Sequence, residues 1–257
     1  DFNYTPHNLE TIFSFDAIIL KGINQQNFSS FKLEFLIALE EQNFLFVNSI
    51  SSILKASNKL GAALAFKKNG LPTPPTLFTT DIEHAVDFLN THKQVLCKPI
   101  YGKGGKGIEL IRLNPKDINK LTQILAKTGT VFLQKFINCD KDIRTFVVGD
   151  TVLGAMYRQR AENCWVTNIN AGGTPIFCPL DDQLIQLSLK ATKAFGLTVS
   201  GVDIMPIGEG RYTLLEINGC PGWKGLSEVN PTNFAEKIIG YITKNVGYKN
   251  RQVSFCT

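Results

Sequence analysis

Short apolar runs of strand length alternate along this chain with stretches in which apolar residues return every three or four positions. Residues 15–21 (FDAIILK) and 44–47 read as strands, and between them 31–41 repeats Leu33, Leu36, Ile37 and Leu39 at helical spacing. Residues 51–68 read as one helix closed by Gly70, followed by a stiff, extended connector over 71–75 (LPTPP). This portion is an α/β unit whose first strand is expected upstream of residue 1. A short helix over 81–90 leads to a strand over 95–99, a loop over 101–107 (YGKGGKG) and a strand over 108–112. Asn114-Pro115 opens a further helix with a cap and a proline in its first turn. A strand over 131–135 comes next, and 142–148 and 151–158 flank Gly149-Asp150 as a hairpin. The amphipathic segment 184–195 reads as a helix, and 199–207 with 212–218 as a last hairpin. Asn230-Pro231 is expected to cap a final helix ending near residue 246. The fold class is α+β with an α/β N-terminal part, and antiparallel strands dominate after residue 95.

Composition narrows the class. The 257 residues are 44% apolar and 19% charged, which excludes a wholly disordered chain and allows one large or two modest domains. No apolar run approaches the roughly 20 residues that span a bilayer. The net charge, 27 − 22 = +5, is mild, and no basic run exceeds two residues. That favours a cleft for anionic small molecules, with no nucleic-acid surface and no membrane partner. The six cysteines form no C-x-x-C pair, so free thiols in a reducing cytosol are expected. Residues 1–7 lack the basic and apolar regions of a signal peptide, in keeping with a cytoplasmic protein.

Four groups of residues could carry chemistry. Four glycines between 101 and 107 allow close backbone approach to a ligand, and Lys103 and Lys106 suit phosphate. The loop is neither a P-loop nor a Rossmann fingerprint, since G-x-x-x-x-G-K-[ST] is absent and a strand follows it. Lys98 ends an apolar strand a few residues earlier, where its ammonium reaches either solvent or an anion. Asp203 lies in GVDIM, and Glu216 and Asn218 lie in LLEIN. Two residues apart on a strand, Glu216 and Asn218 share a face, and hairpin pairing brings Asp203 alongside. Two carboxylates and an amide are oxygen donors suited to magnesium shared with phosphates. Arg144, Arg158, Arg160 and Asn168 complete the set, their guanidinium groups suiting phosphate or carboxylate. His7, His84 and His92 lie away from these groups, so no triad has a base.

In order along the chain stand Asn58-Lys59-Leu60, the GLPTP of 70–74, Cys97-Lys98-Pro99 and the glycine loop. Then come the QKFI of 134–137, Asp142-Ile143-Arg144, Asn168 with Gly172-Gly173, the GVD of 201–203, and the EINGCPG of 216–222. With this series, from about Phe15 to about Tyr241, the sequence resembles the ATP-grasp ligases, and within them the RimK-type α-L-glutamate ligases. The resemblance implies a nucleotide between two α+β subdomains. It divides the chain into a partial N-terminal α/β domain (1–70), a central subdomain with the glycine loop (71–137) and a C-terminal subdomain with the metal site (138–257). Lys59 and Lys98 would contact ATP. Gly102, Lys103, Gly104, Gly105, Lys106 and Gly107 would close over its phosphates. Gln134, Lys135, Phe136 and Ile137 would form the adenine hinge, and Asp142 would approach the ribose. Asp203, Glu216 and Asn218 would hold two magnesium ions, for which manganese can substitute. Arg158 and Asn168 would face the transferred phosphoryl group as the catalytic pair, with Arg144 and Arg160 on the substrates.

Two positions depart from the family pattern: Lys135 stands where an acidic hinge residue is usual, and Val166 where an arginine often precedes the asparagine. The activity implied is attack of an acceptor carboxylate on ATP, giving an acylphosphate that the amine of glutamate converts to an amide. The GLPTPP of 70–75 and the PGWKG of 221–225 resemble the tetrahydromethanopterin-linked branch. There Trp223 would stack on a pterin and Lys224 bind a carboxylate. Glutamylation of a protein C-terminus, a non-catalytic ATP-binding regulator and a small-molecule kinase of the same fold stay open. The common oligomerisation of related ligases leaves a homo-oligomer open as well.

Overall fold

The computed structural model describes residues 15–21, 30–100, 107–162, 164–169, 172–208 and 210–245. The chain opens with a two-stranded parallel sheet, β1 (Ile18–Ile19) beside β2 (Phe46–Val47), connected through α1 (Ser30–Glu41). Leu39, Phe44, Phe46 and Ile50 are the buried residues of this layer. The expected helix over 51–68 is two helices, α2 (Ile50–Ser57) and α3 (Lys59–Lys68). Asn58 breaks them: it leaves α2 in an extended conformation, and its side-chain oxygen accepts from the Gly61 amide at 3.0 Å to cap α3. A side chain that can bond its own local backbone favours a cap over a helix interior, and here it prevails over the continuous apolar period.

A four-stranded antiparallel sheet follows, in the order β3 (Thr76–Thr79), β6 (Val131–Lys135), β4 (Gln94–Lys98), β5 (Glu109–Arg112). Helices α4 (Ile82–His92) and α5 (Pro115–Thr128) cover one face, burying Leu89, Val95, Ile111, Leu121 and Leu133 among others. Strand alternation sends Val95 and Cys97 to that core and leaves Leu96 and Lys98 for the opposite face. The proline-rich connector runs directly into β3, a strand that Pro72 to Pro75 masked in the sequence pattern.

The larger sheet has five antiparallel strands in the order β11 (Tyr212–Asn218), β10 (Val199–Pro206), β7 (Lys141–Val148), β8 (Thr151–Gln159), β9 (Thr174–Cys178). Edge strand β9 is an addition to the expected pattern, hidden behind Gly172-Gly173 and broken by Pro175. One face of the sheet packs on α2, α3 and α6 (Asp182–Phe195) through residues such as Phe66, Leu184, Ile143, Val202 and Leu214. The other face buries Phe146, Val148 and Val199 under α7 (Lys224–Val229) and α8 (Phe234–Asn245). Helix α7, only six residues with an internal glycine, gave no periodic signal. The final helix starts at Phe234, later than expected, because Asn233 rather than Asn230 caps it, accepting from the Glu236 amide at 3.2 Å.

One polar side chain ties the N-terminal layer to the large sheet. Asn48, 2% exposed, donates to the carbonyls of Val199 and Gly219, both at 2.6 Å. Its carbonyl oxygen accepts from the amides of Thr198 and Val199 at 2.5 and 2.8 Å. Asn48→Ala would strand two buried donors and two acceptors, and a loss of about 3 kcal/mol in chemical denaturation is expected. Asn48→Asp, which keeps only the accepting half, should also destabilise.

Candidate active site

The two larger sheets line a cleft of ≈ 530 Å3. Leu96, Lys98 and Gln134 reach it from the smaller sheet, and Asp142, Arg144, Arg158, Asp203, Glu216 and Asn218 from the larger. Strand register explains the second group. Asp203 pairs with Glu216 on one side and with Arg144 on the other, while Asp142 pairs with Arg158. Directly opposite residues project to the same face, so the charged side chains form a cross-strand row.

A β-bulge between Asp203 and Ile204 makes this possible. Asp203 pairs with Glu216 but Ile204 pairs with Leu214, so Leu215 is the extra residue. Leu214 and Ile217 both point to the helix-covered core although three residues apart. Without the bulge, Glu216 would share the buried face of Leu214. The extra residue turns Glu216 and Asn218 to the cleft, a re-aiming typical of bulges near sites.

Arginines hold the acids. Arg144 donates to both oxygens of Asp203, through Nε and through Nη2, the latter at 2.8 Å. Arg158 spans two carboxylates, donating to Asp142 from Nε at 2.7 Å and Nη2 at 2.6 Å, with Nη2 also 3.0 Å from Asp203. The Thr167 hydroxyl donates to Asp142 Oδ2 at 2.7 Å. Burial would push the Asp203 carboxyl up, but Arg144 and Arg158 outweigh it and hold it below the usual carboxylate range. Burial likewise opposes the charge on Arg158, and Asp203 and Asp142 more than restore it. Asn218 donates to Glu216 Oε1 at 3.3 Å.

On the facing sheet, Lys98 Nζ donates to Gln134 Oε1 at 2.5 Å, and Gln134 Nε2 donates to the Thr76 hydroxyl at 3.2 Å. Burial pushes the Lys98 ammonium down to about 8; Glu216 and Asp203 act to raise it, and Lys59 to lower it further. Burial also lowers Lys59, against Glu216. Lys59 opens α3, and its amide donates to the Ile100 carbonyl at 3.1 Å, keeping the helix start beside the end of β4.

Several expected roles change. Asp142 is 2% exposed with both oxygens engaged by Arg158 and Thr167, so in this structure it holds the arginine. The amides of Lys135 and Phe136 donate to the carbonyls of Pro75 and Gln94, which removes those two donors from an adenine hinge. Arg160 lies outside the cleft lining and pairs at the surface with Asp140 at 2.6 Å. Trp223 also lies outside it, edge-on to Phe146 at 5.9 Å with the Lys21 ammonium 3.6 Å from its ring centre. Its partly buried ring packs against the core around Phe146. Lys224 and Asn168 do line the cleft, as do Phe136 and Ile137. Gly107 is exposed with φ +73°, and Gly102, Lys103, Gly104, Gly105 and Lys106 lie outside the described residues. Thr167, Trp165 and Glu228 are lining residues the sequence pattern did not single out; for Thr167 the adjacent Asn168 was the available signal.

Residues 56–242 match the RimK-like ATP-grasp domain. The chain belongs to this family. Among its relatives, the tetrahydromethanopterin:alpha-L-glutamate ligase of Methanocaldococcus jannaschii is 36% identical over 207 residues, covering 78% of this chain and 70% of that protein. The enzyme of the same name from Methanosarcina acetivorans is 30% identical, covering 88% and 79%. The probable alpha-L-glutamate ligase of Chromohalobacter salexigens is 28% identical, covering 92% and 78%. In fold, the RimK-like chain is similar to the ATP-grasp ligase PsnB complexed with a phosphomimetic precursor variant, Mg and ADP. The TM-score is 0.71 at 21% identity, over 90% of this chain and 79% of that one. D-cycloserine synthetase DcsG gives a TM-score of 0.72 at 15% identity, over 96% and 87%.

The lowered Lys98 pKa sets a pH dependence. Below about pH 8 the ligand-free site carries this charge, and above it the charge is lost. Phosphate beside the ammonium would raise the pKa, so nucleotide binding takes up a proton above about pH 8. ADP affinity, measured by calorimetry from about pH 6.5 to about 9.5, is expected to hold level and then weaken by at most about tenfold per unit. Lys98→Gln should flatten that slope.

Proposed function

We propose that this RimK-like protein is an ATP-dependent carboxylate–amine ligase that adds L-glutamate to an acceptor carboxylate, with a tetrahydromethanopterin-type pterin as acceptor. The observation that carries the reading is the cross-strand row of Arg144, Asp203 and Glu216, with Arg158 beside it, facing Lys98 across one cleft. The names of the methanogen relatives support the substrates.

A carboxylate is a poor acyl donor. Attack of its oxygen on the γ-phosphorus of ATP, with ADP leaving, gives a mixed anhydride whose carbonyl an amine can reach. Charge builds on the phosphoryl oxygens during that transfer, and positioned cations supply most of the catalysis. Arg158, held by Asp142, and Arg144, held by Asp203, present guanidinium groups with fixed orientation. Lys98 adds a cation from the opposite wall. The neutral amine of glutamate then attacks the acyl carbon, phosphate leaves, and the amide forms. No enzyme nucleophile takes part.

The hard oxygen donors of Asp203, Glu216 and Asn218 fit magnesium, leaving coordination positions for phosphate. Two ions, with manganese able to replace magnesium, complete the proposal. Such ions would neutralise phosphate charge, while Asp203 would exchange part of its arginine pairing for the metal. Among the described residues no helix is long and apolar enough to cross a membrane, in keeping with a cytoplasmic site of action.

Incubation with ATP, magnesium, L-glutamate and either tetrahydromethanopterin or a glutamate-ended peptide, followed by mass spectrometry, tests the reaction. A gain of one glutamyl residue on the pterin is expected. A stable phosphorylated acceptor with no amide would instead identify a kinase. Asp203→Ala and Glu216→Ala should each lower turnover at least about a hundredfold, and full activity in both would remove the metal assignment.

A further inference from the structure

Most charges in the cleft are already matched within the protein. Asp203 has Arg144 and Arg158, Asp142 has Arg158 and Thr167, and Lys98 has Gln134. Two are not. Lys224 and Glu228 line the cleft from α7, and among the described residues neither forms an ion pair or a side-chain hydrogen bond. Four residues apart, they stand on one helix face, where Cβ atoms are about 6 Å from each other. Lysine before glutamate is the weaker order for such a pair, and these two exposed side chains form no ion pair with each other.

The helix is fixed so that this face stays toward the cleft. Leu226, on the other side, is fully buried with Phe146 and Met156. A Cβ at Gly225 would lie 2.5 Å from the Ile169 side chain, so the glycine lets α7 press against the loop that carries Asn168. Residues 219–223 join α7 to the end of β11, directly after Asn218. The pair is thus coupled on both sides to residues of the proposed reaction centre.

A cation and an anion side by side describe their ligand. ATP or an acceptor carboxylate would call for cations alone, and Glu228 would repel either. A zwitterion satisfies both. We propose that Lys224 and Glu228 form the subsite for the incoming amino acid, Lys224 taking a carboxylate of that substrate in place of the pterin carboxylate expected from the sequence, and Glu228 the ammonium. This inference rests on the ligase reading and adds to it which wall receives the amine substrate. Glu228 also acts as a filter, since a dicarboxylate without an amine would leave it unmatched beside negative charge.

Hydroxylamine, an uncharged amine with no carboxylate, separates the two ideas by trapping the acylphosphate without using the subsite. With tetrahydromethanopterin as acceptor, Lys224→Ala and Glu228→Gln should each raise KM for L-glutamate about tenfold or more. Hydroxylamine-supported ADP release and KM for ATP should stay at the level of the unaltered protein, which also reports on folding. Calorimetric titration of L-glutamate into protein loaded with ADP and magnesium should show the same weakening without an acceptor. Unchanged glutamate KM and affinity in both variants would overturn the subsite. So would a parallel loss of the hydroxylamine reaction, which places the pair on ATP or the acceptor. Failure of the unaltered protein to release ADP with hydroxylamine or glutamate, on either the pterin or the peptide, would remove the ligase reading and the subsite with it.

Discussion

The buried pairing of two aspartates with two arginines across β7, β8 and β10 is the constraint on which the cleft depends. Each of these charges would be costly alone away from water, and removing one partner leaves the others uncompensated. Sharing Asp203 between Arg144 and Arg158, and Arg158 between two acids, joins three strands through a single electrostatic unit. The orientation of both guanidinium groups is therefore built into the sheet itself. Thr167 extends the unit to the loop of Asn168, so the loop is anchored by the same charges that hold the arginine.

Much of this arrangement was legible in the sequence, and the reason lies in strand periodicity. Asp203, Glu216 and Asn218 are polar residues set among apolar neighbours in two adjacent strand-like runs, and hairpin pairing places the two runs side by side. Lys98, a lysine closing an apolar strand, also stood out as a group reaching either solvent or an anion. What it could not show is the bulge at Leu215: an extra residue changes the phase of a strand without changing its composition. Nor could it assign Asp142. The resemblance put it near a ribose, and its enclosure by Arg158 and Thr167 depends on pairing across two strands and on a loop contact that the sequence does not display.

The elements missed share a cause. β3 follows a run of prolines, β9 holds Pro175 behind two glycines, and α7 is shorter than two full turns with Gly225 inside. Their local propensity is weak, and tertiary contacts define them. Trp223 shows the reverse error. Next to the cleft in sequence and aromatic, it suggested a stacking surface, yet its ring completes the core around Phe146. Large apolar side chains near a site are more often needed by the core than by the ligand.

Asn48 has a mechanical consequence. Its amide bonds to the first residue of β10 and to Gly219, the residue immediately after Asn218. The N-terminal layer is thus a brace on both strands that carry Asp203, Glu216 and Asn218, acting through this side chain and through Val47, which packs with Phe146, Val148 and Val199. Any displacement of β2 would therefore be felt at the ends of β10 and β11 together, at the backbone of Val199 and of Gly219.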